Sequence, residues 1–289
     1  MTSFPLPGTG RVAVAVPAPG AGPGHWVGAP SAALDHDGGF VVAYRVRVTD
    51  QRGAATVVAR SADGERLTTV AVLDKARFGA ESMERPALLR TPTGRWRLYV
   101  CSATPRSKHW WIDVLEADDP AGLADAEART VFPGDDRTAV KDPVVRHRDG
   151  RWHAWVCCHP LDVPGEEDRM TTAYATSEDG LEWDWHGTAL APRPGTWDAR
   201  GARVTAVLPD GRASYDGRAS KEENFSERTG LAHGTGRPGE LVQDGHEPVS
   251  DVRYLDVVPL GGGGYRLWYE FPLPDESHEL RTELIAAAT

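Results

Sequence analysis

The sequence predicts an all-β fold, a five-bladed β-propeller with four-stranded blades. Three observations predict it: a Gly-containing turn followed by a β-rich run recurs five times, apolar and polar residues alternate after the turns, and helical segments are scarce. The turns lie near Gly38, Gly94, Gly150, Gly211 and Gly263, at intervals of 52 to 61 residues. A long repeat of short strands is typical of propeller blades.

Each repeat predicts two hairpins. Strict alternation around a Gly-rich turn, clearest at residues 93–100, 149–156 and 263–270, indicates the first hairpin, because successive residues of a strand face opposite sides. The second hairpin is clearest at 55–72 and 171–190, where Asp-Gly turns at 61–64 and 177–180 suit tight connections. A short apolar run precedes each first turn and is predicted to be the innermost strand: residues 30–34, 86–89, 143–145, 204–208 and 255–260.

The remaining segments fit one domain over residues 1–289. The strand-like stretch 11–16 precedes the first repeat, and we expect it to close the ring against the last blade near 279–286. Residues 119–128 predict one short helical turn. A chain of this length can form one continuous β core.

The amino-acid composition limits the classes of partner that the protein can bind. A formal net charge of −10 disfavours nucleic acid, which binds clustered Lys and Arg. No apolar run is long enough to span a membrane, and residues 1–10 lack the order of a signal peptide, so we expect a cytoplasmic protein without membrane contact. Three cysteines, two of them adjacent, do not indicate a disulfide framework.

The Pro-containing inner strands and the Ser-x-Asp-Gly-x-x-Trp return at 177–183 resemble the five-bladed glycosidases of the arabinanase, xylosidase and invertase type, which are glycoside hydrolase family 43-like. The resemblance covers nearly the whole chain. It implies a central funnel that binds a small-molecule carbohydrate, with the residue before each inner-strand Pro pointing inward. Those positions are Ala29, Arg85 and Asp142, with Glu84 one place earlier.

The chain departs from the family at the first of these positions. In the family an Asp there serves as general base or nucleophile, and this sequence has Ala29. His25 is a candidate replacement, because imidazole exchanges protons near neutral pH. The neighbouring Trp26 is a candidate for stacking on a sugar ring.

Four carboxylates are the candidate catalytic groups. The resemblance gives Asp142 the role of stabilising the transition state, although an Asp before Pro143 could instead cap a turn. Glu84, Asp216 and Asp251 are candidates for the second acid or base. Glu84 could instead form an ion pair with Arg85 or a neighbouring blade, and Asp216 could belong to a type I′ turn with Gly217.

Basic and aromatic residues near the blade openings predict substrate binding. Such a lining would bind an anionic sugar, a sugar phosphate or phosphate, since Arg offers a planar fork of donors to an oxyanion. The alternative is an ion-pair network that satisfies itself. The predicted binding residues are His25, Trp26, Arg85, Lys141, Arg200, Arg203, Arg218, Arg253 and Tyr254.

The predicted function is therefore a glycoside hydrolase-like enzyme acting on a glycosidic bond. The alternatives are a phosphate-dependent glycoside phosphorylase, suggested by Ala29 and the Arg-rich openings, and a non-catalytic sugar-binding propeller. No metal site is predicted from His109, His153 or His159, and no cofactor is predicted. The resemblance leaves room for a calcium ion on the funnel axis; the sugar and the oligomeric state stay open.

Overall fold

The structure is a computed structural model that describes residues 4–287. Over that range it has twenty strands in three four-stranded sheets and one eight-stranded sheet. A single parallel pair joins the two halves of the eight-stranded sheet, so we describe it as two groups of four, which makes five groups in all. The first group is β2 (Trp26–Leu34), β3 (Phe40–Val48), β4 (Gln51–Ser61) and β5 (Thr68–Asp74). The second is β6 (Ala87–Arg90), β7 (Trp96–Ala103), β8 (Trp110–Ala117) and β9 (Arg129–Phe132). The third is β10 (Thr138–Arg148), β11 (Arg151–Pro160), β12 (Thr171–Ser177) and β13 (Asp184–Leu190). The fourth is β14 (Gly201–Val207), β15 (Arg212–Arg218), β16 (Arg228–Gly234) and β17 (Leu241–Asp244). The fifth is β18 (Arg253–Pro259), β19 (Tyr265–Pro272), β20 (His278–Ile285) and β1 (Arg11–Val16).

The fifth group combines the two ends of the described chain. β1 pairs antiparallel with β20, from Arg11 opposite Leu284 to Val16 opposite Leu280, so the predicted pairing of this segment is confirmed. A single parallel pair, Trp26 with His278, also joins β20 to β2 and links the fifth group to the first.

The five groups contact one another in a cycle. The first strands touch in the order β2, β6, β10, β14 and β18, and β18 touches β2 again. Five apolar clusters occur in residues 4–287, and each lies mainly between two groups that are neighbours in this cycle, including the fifth and the first. Trp96, Trp152, Trp155 and Trp268 belong to these clusters.

The two Asp-Gly segments form tight turns, as predicted, and they also contact neighbouring groups of strands. In the turn after β12, the Ser177 hydroxyl accepts a hydrogen bond from the backbone N–H of Gly180 at 2.8 Å, and Gly180 has a φ of 76°, which glycine adopts without strain. The turn after β4 repeats this geometry. Arg97 of β7 donates to the carbonyl oxygen of Asp179 at 2.7 Å, so the turn of the third group binds the second.

Three of the five first strands share a bulge. The register shifts after Gly28, Lys141 and Arg253, and the next residues, Ala29, Asp142 and Tyr254, have left-handed φ values of 51°, 49° and 53°. Left-handed backbone is costly for residues other than glycine and occurs often at functional sites.

Helical structure is limited to two short 3-10 helices in the described part of the chain, Lys75–Phe78 and Pro120–Ala124. The second lies within the predicted turn at 119–128, and the Asp119 carboxylate caps it by accepting the N–H of Ala121. Neither helix has the length or apolar character of a membrane-spanning helix.

Candidate active site

A cavity of about 310 Å³ opens where the first strands begin, on the side of the three bulges. Its walls come from all five groups and from the loops before β8, before β12 and before β16. Charged side chains dominate the lining, with eight basic residues against four acidic ones: Arg45, Arg52, Lys108, Lys141, Arg203, Arg218, Lys221 and Arg253, and Glu84, Glu167, Asp168 and Glu227.

Buried ion pairs form a continuous chain along one wall. Arg45 binds Glu84 at 2.9 Å and Glu270 at 2.5 Å, with both Arg45 and Glu270 fully buried. Arg253 then joins Glu270 at 2.8 Å to Glu227 at 2.7 Å. Arg218 continues the chain from Glu227 at 2.6 Å toward Asp168. Buried charges of this kind persist only when each is paired.

A second buried cluster centres on Arg203. Its guanidinium group contacts Asp142 at 3.1 Å, Asp216 at 2.7 Å and the Tyr254 hydroxyl at 2.9 Å. Asp142 and Asp216 are fully buried and lie behind Arg203, outside the cavity lining. Burial raises the pKa of Asp216, although the charge of Arg203 opposes the rise. These carboxylates therefore hold Arg203 in place.

All four carboxylates that line the cavity have lowered pKa values. Burial opposes the charge of Glu84, but Arg45, Lys141, Arg47 and Arg52 outweigh it and lower the pKa of Glu84 to about 2. Arg253, Arg203 and Arg218 likewise overcome burial and lower the pKa of Glu227 to about 2.

The pKa of Glu167 is lowered by hydrogen bonds from backbone N–H groups, and that of Asp168 is lowered, against burial, by Arg200 and Arg218. These lining carboxylates are ionised at neutral pH. His159 lies beside them, and burial followed by the charge of Lys141 puts its pKa well below the usual value, so this imidazole is neutral.

Four lining cations lack a close carboxylate partner among residues 4–287, and one of them, Lys221, donates only to the carbonyl oxygen of Gly165. Within residues 4–287, Arg52 and Lys108 form no ion pair, and Lys141 lies 3.8 Å from the nearest oxygen of Asp142. The Lys141 ammonium also lies 5.1 Å from the centre of the Trp110 ring. The alternative of an ion-pair network thus describes the buried wall, although the Nε atoms of Arg45 and Arg218 have no hydrogen-bond partner among residues 4–287, while the cavity surface keeps unpaired positive charge.

Several predicted residues lie at the cavity and others do not. Glu84, Lys141, Arg203, Arg218, Arg253 and Tyr254 line it. Asp251 is exposed and lines a separate surface cleft. Arg200 lies outside the cavity lining and pairs with Glu166 and with the lining residue Asp168. His25 contacts Thr49.

Trp26 is buried and stacks on His278 at 4.8 Å. Phe225, whose ring centre is 4.9 Å from that of Trp26, lines the cavity, as do Trp110 and Tyr254.

Two sequence alternatives can be judged from the geometry. The turn interpretation of Asp216 and Gly217 is wrong, because both residues lie inside β15 and pair with β14 and β16. Glu84 does form an ion pair with a neighbouring group, through Arg45 of β3.

Arg85 fills the space between the first strands. Its guanidinium donates to the carbonyl oxygens of Pro30 and Thr205 and lies 3.5 Å from Asp256, while its backbone N–H donates to Asp142. These contacts reach β2, β10, β14 and β18. A calcium ion here would face this guanidinium charge, and residues 4–287 contain no cluster of three His, Cys, Asp or Glu, so the residues present do not fit an axial calcium.

Sequence reasoning missed the two buried charges that begin the chain of ion pairs, Arg45 and Glu270. A recurring pair of residues could have revealed them. In the second strand of three groups a charged residue follows a tyrosine: Tyr44-Arg45, Tyr215-Asp216 and Tyr269-Glu270. Gly28 supplies the space for Glu270, because a Cβ on Gly28 would lie within 2.6 Å of that side chain.

The sequence matches no known protein-family profile and no curated protein. Solved structures are similar in fold over nearly the whole chain.

A β-1,2-mannobiose phosphorylase from Listeria innocua, in complex with β-1,2-mannobiose, superposes with a TM-score of 0.63 at 14% identity, covering 98% of this chain and 93% of that one. A thermostable family-43 glycoside hydrolase gives 0.66 at 13% identity over 89% and 88%. An N-acetylgalactosamine deacetylase from F. plautii gives 0.67 at 11% identity over 96% and 94%. The chain therefore shares the fold of glycosidase-like, carbohydrate-active proteins.

Proposed function

We propose that this chain is a five-bladed β-propeller that cleaves a glycosidic bond in the charged cavity and transfers the glycosyl group to inorganic phosphate. The cyclic contacts of the first strands and the apolar clusters between all neighbouring groups support the propeller. The structural neighbours support a carbohydrate ligand, because two of those named above act on glycosidic bonds.

The observation that carries phosphate as the acceptor is the charge of Arg52, Lys108 and Lys221, which form no ion pair among residues 4–287, and of Lys141, whose one carboxylate partner is 3.8 Å away. An oxyanion bound there would neutralise cations that the protein itself leaves unpaired. The excess is local, since the whole chain carries a net charge of −10. Glu84 lies beside these cations as an ionised carboxylate and would accept a hydrogen bond from a sugar hydroxyl.

Hydrolysis is the second candidate, and Glu84 favours it. An ionised carboxylate that lines a cavity can accept a proton from water, which is the role of the general base in an inverting glycosidase. Asp142 and Asp216 would act in either reaction by fixing Arg203.

The test compares turnover of 4-nitrophenyl glycosides and β-1,2-mannobiose with and without phosphate, and identifies the product by ³¹P NMR. We expect turnover to require phosphate and to yield a sugar phosphate. Equal rates with and without phosphate would reject phosphorolysis in favour of hydrolysis. Binding of the sugars without any turnover would leave a carbohydrate-binding protein.

The same assay tests the anion site. Lys141→Met should raise the KM for phosphate about three- to tenfold, because it removes one charge-assisted contact. Arg237→Gln is the matched control, since Arg237 is exposed and lies outside the cavity lining. An unchanged KM in the Lys141 variant would remove that residue from the anion site.

A further inference from the structure

Cleavage of a glycosidic bond requires a proton for the leaving oxygen, and the cavity carboxylates cannot supply it. The four that line the cavity have lowered pKa values and are ionised at neutral pH. The two carboxylates behind them, Asp142 and Asp216, are bound to Arg203 and do not reach the lining. Glycosidases that use two carboxyl groups keep one of them protonated, so another donor is needed here.

Tyr254 supplies the one hydroxyl group of the cavity lining within the described residues. It follows the bulge in β18, at the position that Asp142 occupies in β10 and Ala29 in β2. Its φ of 53° is left-handed, a strained conformation for an aromatic residue.

Neighbouring residues hold both the backbone N–H and the hydroxyl group of Tyr254. Its backbone N–H donates to both carboxylate oxygens of Asp216, at 3.2 and 3.0 Å. Its hydroxyl oxygen accepts a hydrogen bond from Arg203 at 2.9 Å, and the Arg203 guanidinium carbon lies 3.9 Å from the ring centre. The guanidinium groups of Arg253 and Arg45 lie 5.1 and 5.9 Å from the same ring.

The hydroxyl proton of Tyr254 is available to a ligand. Arg203 occupies an acceptor position of the hydroxyl oxygen, and no group among residues 4–287 accepts the hydroxyl hydrogen. Burial raises the pKa of Tyr254, with Arg203 opposing the rise and Asp142 and Glu84 adding to it, so the phenol is protonated at neutral pH.

We infer that Tyr254 is the catalytic acid of the proposed reaction, donating its hydroxyl proton to the glycosidic oxygen as the bond from that oxygen to the anomeric carbon breaks. The anomeric carbon forms a new bond to an oxygen of hydrogen phosphate. The phenolate left behind lies among Arg203, Arg253 and Arg45, and it regains a proton from the attacking phosphate. In hydrolysis Glu84 would take a proton from the attacking water and that proton would then pass to the Tyr254 phenolate, so the same role holds.

This inference rests on the proposed function, and dependence on the leaving group separates the two. Tyr254→Phe keeps the ring and removes only the hydroxyl. A disaccharide releases an alcohol that needs a proton, whereas a 4-nitrophenyl glycoside of the same sugar releases a stable phenolate that does not. We expect kcat of the variant to fall about 10²–10⁴-fold on the disaccharide and less than about tenfold on the 4-nitrophenyl glycoside.

Equal losses on the two substrates would indicate a structural role, and no loss on either would indicate no role; both results overturn the inference and leave the proposed function intact. Absence of wild-type turnover on every glycoside, with or without phosphate, would remove both. An unchanged thermal midpoint of the variant confirms that a selective loss does not come from misfolding.

Discussion

The two ends of the five first strands differ sharply in chemistry. At the end where the strands begin, the cavity wall is a chain of buried ion pairs. Where the strands end lies a second cavity of about 390 Å³, lined mainly by apolar residues and, within residues 4–287, by no acidic side chain. Leu88, Val145, Val207 and Val257 are among its walls.

The difference indicates which end serves the fold and which serves ligands. Apolar packing at the strand ends stabilises the structure in proportion to the area buried. The ion pairs at the other end must first overcome the cost of removing charges from water, and well-packed apolar residues would often stabilise as much. We infer that the charged end is kept for binding and chemistry.

Arg203→Met tests the charged end, and it has the largest expected effect of these predictions. The variant leaves Asp142 and Asp216 buried without their shared guanidinium, and we expect it to lower the free energy of unfolding by about 3–5 kcal/mol. Urea denaturation measures the loss. Arg148→Met is the matched control at the apolar end, because Arg148 and its partner Asp149 are both exposed and their ion pair at 3.5 Å should contribute less than about 1 kcal/mol. Similar losses in the two variants would remove the distinction between the ends.

Leu88→Ala tests the apolar end. Leu88 is 1% exposed, and truncating it should cost about 2–3 kcal/mol, near the low end for Leu→Ala because the side chain already borders a cavity. The ion pairs at the other end are untouched, so the KM for phosphate should change less than about twofold. A clear rise in that KM would show that the two ends are coupled.

The sequence predicts the apolar end and the repeat better than the charged end. Alternation and Asp-Gly turns are local signals, and they locate the hairpins. The strand-like stretch that precedes the first repeat predicts the pairing of Arg11–Val16 with β20. The first strands extend further than the short apolar runs indicate: β10 begins at Thr138, whereas the predicted strand begins at residue 143. The bulge at Asp142 divides that strand and interrupts its alternation.

The partners of the charged residues could not be predicted, because they are far apart in the chain. Arg45 meets Glu270 across 225 residues, and no local pattern encodes that contact. Asp251, a predicted catalytic carboxylate, precedes β18 and is exposed. His25 and Trp26 are predicted from the chemistry of their side chains, which does not encode position, and neither lines the cavity, whereas Phe225 from the loop before β16 does.

A pH titration of the free energy of unfolding tests the same comparison of the two ends. It has the smallest expected effect of these predictions. Glu84 has a pKa of about 2 in the folded protein against 4.5 ordinarily, so its stabilising contribution is complete above about pH 4.5 and is lost as the pH falls through 2. Over that window one such group gives a slope of up to about 1.4 kcal/mol per pH unit. We expect Glu84→Gln to flatten the acid limb of the unfolding free energy by part of that slope.

Glu178→Gln is the control for this titration, since Glu178 is an exposed carboxylate remote from the cavity lining and its removal should leave the acid limb unchanged. The apolar end has no lining carboxylate to titrate, so Leu88→Ala should shift the whole curve down without changing its slope. An acid limb that is equally steep in the wild type and in Glu84→Gln would mean that the pKa of Glu84 is not lowered in the folded protein. Arg45 and its neighbouring cations would then not stabilise the charge of Glu84, and the ion pairs of the charged end would contribute no more to the pH dependence of stability than the apolar end does.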